Sequence, residues 1–308
     1  MGISVHGAKF LLYARAAGVD FSDMAMIGRQ GLYVTPAEMR QVFAAGGDAL
    51  NDTEIADICD GSDGYAETFF ARLGARRADS FDYSNFESAT VTHDMNEPIP
   101  ARHHGQYSCV LDSGSLEHIF NFPCAIKNCM EIVKIGGHFI SITPANNFFG
   151  HGFYQFSPEL YFTVLSAENG FEMQTMMAFE ETKDAVWYDV RSPQEACERV
   201  TLLNARPVYL CMIARRLAAK PIFERTPQQS DYLARWNPGP PLPPSIATGP
   251  VRRPLPIRLA KRVLPAGVRQ SIREAFARPP PPVAKPGFDP KFFRRIGPGP
   301  GRPEAAED

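Results

Sequence analysis

The segment Tyr107–Pro158 reads YSCVLDSGSLEHIFNFPCAIKNCMEIVKIGGHFISITPANNFFGHGFYQFSP, and it limits the chain to a narrow set of folds. An apolar run, Tyr107–Leu111, ends at Asp112. A short turn carries Glu117 and His118, a helical stretch covers Pro123–Val133, and Gly136-Gly137 opens a second apolar run to Thr143. Short apolar runs bounded by turn residues describe strands buried on both faces, and strands of that kind belong to parallel sheets covered by helices. A loop dense in hydrogen-bonding side chains follows. In open sheets of this class, ligands bind outside the carboxyl ends of the strands. The segment therefore predicts half of a doubly wound α/β sheet with its ligand edge exposed.

The rest of the chain repeats the alternation. Residues 6–17 predict a helix, Met24–Ile27 a buried strand ending at Gly28, and Thr35-Pro36 a helix start, with Thr35 as N-cap and Pro36 in the first turn. Residues 45–62 are acidic and read as an insertion. Helix 64–73, strand 76–81 ending at Asp82 and strand 89–92 before Asp94 follow. Ser157-Pro158 opens a helix, and 171–179 and 207–213 predict antiparallel edge strands. The fold expected is a mostly parallel, Rossmann-like sheet with antiparallel strands at its C-terminal end.

Charge divides the chain. Residues 238–308 hold 13 Lys/Arg against five Asp/Glu, and 18 of the 28 prolines. That tail balance of +8 leaves −10 for residues 1–237, since the whole chain carries −2. The shift predicts a domain over 1–237 and a Pro-rich basic tail over 238–308. Cys59, Cys109, Cys124, Cys129, Cys197 and Cys211 form no CxxC pair and have no His at metal spacing, so they read as small reduced core residues rather than a disulfide or zinc framework. No metal is expected. His103-His104 sit in a polar loop without a carboxylate or Cys at ligand spacing. No window reaches the ~18 apolar residues of a membrane span, and the expected location is the cytoplasm.

The ligand edge carries acids suited to a nucleoside. A carboxylate after the second strand can accept hydrogen bonds from both ribose hydroxyls, and an acid one strand further can accept from the exocyclic amine of adenine. The residues Ser80–Ser84 (SFDYS), His93–Asn96 (HDMN), Val110–His118 (VLDSGSLEH) and Ile132–Gly137 (IVKIGG) together resemble the class I S-adenosylmethionine-dependent methyltransferases over about residues 20–215. The resemblance implies S-adenosylmethionine as cofactor. It implies Gly28 at the first turn, Asp82 and Tyr83 at the ribose, Asp94 and Met95 around the adenine, and Asp112, Ser113 and Gly114 beneath the methionine end. The sequence departs from that family at the first turn. A GxGxG pattern is replaced by Ile27-Gly28-Arg29-Gln30-Gly31, with two bulky residues between the glycines. Either the pocket is rebuilt, with Gly61 and Gly64 supplying close approach, or it no longer binds.

Methyl transfer to an oxygen acceptor needs alignment, and a base or a metal to activate the hydroxyl. His118 and His151 are the catalytic candidates. The loop from Asn146 to Phe156 mixes aromatics with amides, and Asn146, Asn147, Phe153, Tyr154 and Gln155 are the candidate contacts to a small polar or glycan-type acceptor. The alternative reading is a non-catalytic, methyltransferase-like binding or assembly protein. A nicotinamide enzyme fits less well, because no GxGxxG turn opens a helix. In the tail, residues 255–277 (LPIRLAKRVLPAGVRQSIREAFA) predict a helix–kink–helix with a cationic face. Such a segment suits an anionic membrane surface, an acidic protein partner or the chain's own acidic domain. Nucleic acid is not expected, since no aromatics interleave with its basic residues.

Overall fold

Neighbouring residues in the strands bury against opposite layers, and this sets the architecture. Met24 and Met26 of strand β2 (Asp23–Ile27) join one core while Ala25 and Ile27 join the other, and none is more than 1% exposed. A strand without a wet face needs helices on both sides. The structure is a computed structural model that describes residues 2–196, 198–230, 232–233 and 286–300.

One core packs α1 (Val5–Ala16), α2 (Pro36–Ala45), α3 (Asp52–Asp60) and α4 (Glu67–Leu73) on the sheet. The other packs α5 (Phe122–Ile132) and α6 (Pro158–Val164) on the opposite face. The nine-stranded sheet runs, from one edge to the other, β11 (Phe293–Gly297), β9 (Trp187–Val190), β8 (Phe171–Glu180), β10 (Val208–Arg216), β7 (Val133–Pro144), β6 (Tyr107–Ser113), β2, β4 (Arg77–Asp82) and β5 (Val91–Thr92). Its parallel half comprises β2, β4, β5, β6 and β7. The order reverses beside β2, which creates the switch-point crevice of a doubly wound sheet. Beyond β7 the sheet is antiparallel: β10 lies between β7 and β8, and β9 follows β8. A short helix, α7 (Pro193–Ala196), follows β9.

The fold class matches the sequence expectation, but β8 and β10, expected as edge strands, lie inside the sheet because β9 extends it beyond them, and there are three additions. Residues 45–62 contain α3, closed by a capping box in which Asn51 and Glu54 exchange hydrogen bonds. β1 (Gly2–Ser4) and β3 (Gly31–Tyr33) form a separate parallel pair at the site edge. Their three-residue lengths leave no period to read. The boundary at 237 also needs correction. β11 returns from the basic tail and pairs antiparallel with β9. Phe292 and Phe293 are buried in the core, and Phe288 stacks on Tyr188 at 4.0 Å. Proline content masked these aromatics, which anchor the returning strand. The predicted helical segment 255–277 lies outside the described residues. Among the described residues, no helix is long and apolar enough to cross a membrane.

A buried cation secures the frame at the end of the sheet opposite the carboxyl ends of the parallel strands. Arg216 of β10 donates to the carbonyls of Met130, Glu131 and Val133, the unsatisfied C-terminal end of α5. This ties the helix after the Glu117 turn to the antiparallel half of the sheet.

Candidate active site

Strand register assembles the site. Ile27 pairs with Phe81 on one side and with Asp112 on the other, so Gly28, Asp82 and Ser113 emerge side by side at one sheet edge. Gly28 has φ +69°, and its N–H donates to Phe81 O at 2.8 Å. The carboxylate of Asp82 is half-buried and accepts from Ser84 N at 3.2 Å. Tyr83 beside it is exposed. Asp94 folds over an Asx turn, with Oδ1 accepting from both N and Nδ2 of Asn96, and the backbone N–H bond lowers its pKa most. Met95 is packed in the core rather than open to a ligand.

The bulky first turn is filled from within. Gln30 is wholly buried and donates to the carbonyls of Ile27 and Gly28 and to Ser115 Oγ. Ser115 Oγ in turn donates to Ile27 O. Arg29 pairs with Glu67 at 2.6 Å, stacks on Tyr65 at 3.8 Å and donates to Glu87 O at 3.0 Å. It thus reaches from the first turn to the loop after Asp82. Gly61 and Gly64 sit at the end of α3 and in the turn that follows, where Gly64 O accepts from Leu32 N.

Asp112 does not face a ligand, which corrects the sequence expectation. Its position on β6 points the carboxylate into the α5–α6 layer. Oδ1 accepts from Ser115 N and Leu116 N, and Oδ2 accepts from the Ser141 hydroxyl at 2.8 Å. Burial raises its pKa, and the charge of Glu117 raises it further. Asp112 therefore folds the Ser115–Leu116 turn that presents Glu117 and His118. Ser113 Oγ donates to Gly2 O, joining the strand end to β1.

The structure brings His118 and His151 together, as their shared candidacy requires, and adds Glu117 between them. The two rings lie 4.9 Å apart, nearly perpendicular. His151 Nε2 is 3.3 Å from Glu117 Oε1, and His118 Nε2 is 4.0 Å from the same oxygen. Glu117 is 1% exposed, whereas both histidine side chains are nearly half exposed. Burial raises the Glu117 pKa. Burial, then the neighbouring His151, lowers that of His118 and favours the neutral ring. The 146–156 loop is clamped to this turn, because Phe153 N and Tyr154 N both donate to Glu117 O. Glu117 was visible in the sequence as part of LEH, but nothing there distinguishes a buried carboxylate from a solvated one.

Most of the predicted acceptor contacts instead order this loop. Asn146 and Asn147 donate to Asn204, and Asn147 also donates to Arg206 O. Gln155 Oε1 accepts from Phe148 N, and the Tyr154 hydroxyl donates to Phe120 O. Phe153 remains exposed, edge-on to exposed Phe120.

A cavity of about 240 Å³ opens on the cluster. It is lined by Ser113, Gly114, Glu117, His118 and His151 together with a second set, Gly2, Ser4, Tyr33, Glu181 and Tyr209. The latter set comes from β1, β3, β10 and the residue after β8, and no motif in the sequence marks it. A second cavity of similar volume, bounded by Glu168, Lys220, Glu224 and Arg225, brings together no comparable set of ligating groups.

No protein-family model matches the chain, and no curated protein matches it. Among solved structures, it is similar to 1,6-didemethyltoxoflavin-N1-methyltransferase of Burkholderia thailandensis, bound to its substrate and S-adenosylhomocysteine (14% identity, 70% of this chain and 78% of that one, TM-score 0.36). It is also similar to the N-methyltransferase NodS of Bradyrhizobium japonicum with S-adenosylhomocysteine (14% identity, 68% and 85%, TM-score 0.36). A geranyl diphosphate methyltransferase in complex with S-adenosylmethionine gives 11% identity over 69% and 85%, with TM-score 0.37. At these values the chain's own geometry defines the site.

Proposed function

We propose that this chain is an S-adenosylmethionine-dependent methyltransferase acting on an oxygen of a small polar or glycan-type acceptor. The observation that carries the reading is the shared sheet edge. Gly28 and Asp82 emerge beside Ser113-Gly114, and the cavity with Glu117, His118 and His151 opens next to them. The donor set fits an adenosyl group at its ribose end, where Asp82 keeps acceptor capacity beyond its single bond to Ser84. S-adenosylmethionine, when bound, supplies a methyl group on a sulfonium. Asp82 would hold the ribose and Asp94 the adenine side, while Gly114, with φ +82° and no side chain, leaves room between the strand end and the cavity.

The chain's own residues have two tasks: to align the acceptor and to activate its hydroxyl. Exposed Phe120 and Phe153 offer apolar faces at the rim, suited to the flat side of a ring. The Glu117–His118–His151 cluster supplies the activation, because it places basic lone pairs at the cavity wall. Calorimetric titration of the folded protein with S-adenosylmethionine and with S-adenosylhomocysteine tests the reading. Binding of both, followed by methyl transfer to a hydroxylated acceptor, is the expected result. No heat at millimolar ligand would reject it.

One observation favours the second reading, a non-catalytic relative that binds or assembles. Gln30 and Arg29 fill the first turn, with Gln30 Nε2 bonded to the Ile27 and Gly28 carbonyls and Arg29 bonded to Glu67 and Glu87 O, while Gln30 Oε1 has no partner among the described residues. Under that reading the same titration stays silent while the fold remains intact.

A further inference from the structure

We propose that Glu117, His118 and His151 form a binding site for one borderline divalent transition metal, of the zinc class, with an open coordination position toward the cavity. Their ligand atoms all lie within 4.8 Å of one another. Two ligands on one tetrahedral zinc stand roughly 3.4 Å apart, given metal–ligand bonds of ~2.0–2.1 Å. The Glu117–His151 separation of 3.3 Å already meets that spacing. His118, at 4.0 Å from the same oxygen and nearly half exposed, can close the remainder by side-chain rotation.

An independent observation points to a missing partner. Glu117 is 1% exposed, yet among the described residues neither of its carboxylate oxygens accepts a hydrogen bond. Buried carboxylates are hydrogen-bonded, paired or bound to a metal, and the polar groups beside this one are the imidazole nitrogens of His151 and His118. The space beside it is kept clear. A Cβ on Gly114 would sit 3.4 Å from Glu117 Oε1, and one on Gly152 would press within 3.0 Å of Glu117 Cγ. Both glycines adopt positive φ, so the backbone conformation also favours the absence of a side chain there.

The donor chemistry selects the ion. Two imidazoles and one carboxylate suit Zn²⁺, Fe²⁺, Co²⁺ or Ni²⁺, whereas Mg²⁺ and Ca²⁺ prefer oxygen ligands throughout. Three protein ligands with a fourth position open describe a catalytic rather than a structural zinc site. The three ligands line the same cavity as Tyr33, Tyr209 and Glu181, so a further ligand to the ion would come from there. An oxygen bound there would have its proton acidified, which moves activation from a histidine base to the ion. The site itself does not rest on methyl transfer.

The test uses the full chain, stripped with a chelator and titrated with Zn²⁺ alone, without S-adenosylmethionine. Its outcome is thus separable from that of the methyltransferase reading. One zinc per chain is expected. His118→Ala, His151→Ala and Glu117→Gln should each weaken binding by at least about tenfold. His103→Ala with His104→Ala should leave binding unchanged. The Co²⁺-loaded protein should show visible absorption bands that vanish in His151→Ala. Both histidines are half exposed, so their variants should melt as the parent does. Zinc retained by the folded His118→Ala/His151→Ala double variant would overturn the proposal. So would zinc uptake below half an equivalent by the folded parent, which would leave Glu117 as a buried neutral acid.

Discussion

Gly152 lies against the backbone of Glu117 so closely that a Cβ there would stand 2.8 Å from Glu117 O. The next residue's N–H donates to that same carbonyl at 2.7 Å. Gly152 also holds φ +67°. Gly152→Ala should therefore lose about 1–3 kcal/mol of stability, from backbone strain together with the close contact. At Gly114 the contact is looser, 3.4 Å to a side-chain oxygen. Gly114→Ala should cost less, about 1 kcal/mol. Urea denaturation of the two variants checks the order, and equal losses would remove the special role given to the Gly152–Glu117 contact.

Asp82→Ala should weaken S-adenosylmethionine binding by roughly 10- to 100-fold, the worth of hydrogen bonds to a charged acceptor. The fold should be little affected, because among the described residues this carboxylate holds only the Ser84 turn. Calorimetry on parent and variant measures the change. Undiminished affinity would take Asp82 out of the binding site.

Arg29 is the partner of Glu67, whose second oxygen is buried and has no hydrogen-bond partner among the described residues. Arg29→Ala should cost about 1–3 kcal/mol by stranding that carboxylate. Adding Glu67→Gln should recover part of the loss. Thermal melts of the two single variants and the double variant give the coupling, and additive losses would show that the pair does not act as one unit.

The buried Asp112 carboxyl has its pKa raised by burial and by Glu117. An acid with a raised folded-state pKa is held neutral in the native protein over a window where the unfolded chain has already lost the proton. Stability due to this group is therefore highest below the ordinary carboxylate range and falls as pH rises through the folded value. Asp112→Asn keeps an acceptor for Ser115 N and Leu116 N and offers a donor to Ser141, but it does not titrate. The variant should lose less stability than the parent between about pH 5 and about pH 8. Denaturation midpoints at the two pH values decide it, and identical slopes would refute the assignment.

The sequence and the structure agree wherever a period or a cap carried the information. Met24–Ile27, Tyr107–Leu111 and the Thr35-Pro36 helix start were readable because burial and capping are local. Thr35 is the expected N-cap, and the structure adds a capping box with Glu38. The direction of the Asp112 side chain was not readable. Strand register decides it, and register depends on β2 and β7, far away in sequence. For the same reason the ligating character of His151 stayed hidden. His118 and Glu117 are adjacent, but His151 meets them only because the 146–156 loop folds back onto the Glu117 carbonyl. Asn146, Asn147 and Gln155 looked like ligand contacts because amides serve loops and ligands with the same atoms. Their partners, Asn204, Arg206 and Phe148, distinguish the two uses.

The β1–β3 pair sets a practical constraint. Gly2 and Ser4 belong to the cavity wall, and Ser113 is bonded to Gly2 O. A substitution in this pair therefore reshapes the pocket without touching the Glu117 turn: a side chain at Gly2 would press on the Tyr33 ring and on Gly31 O, and so would move a second wall residue with it.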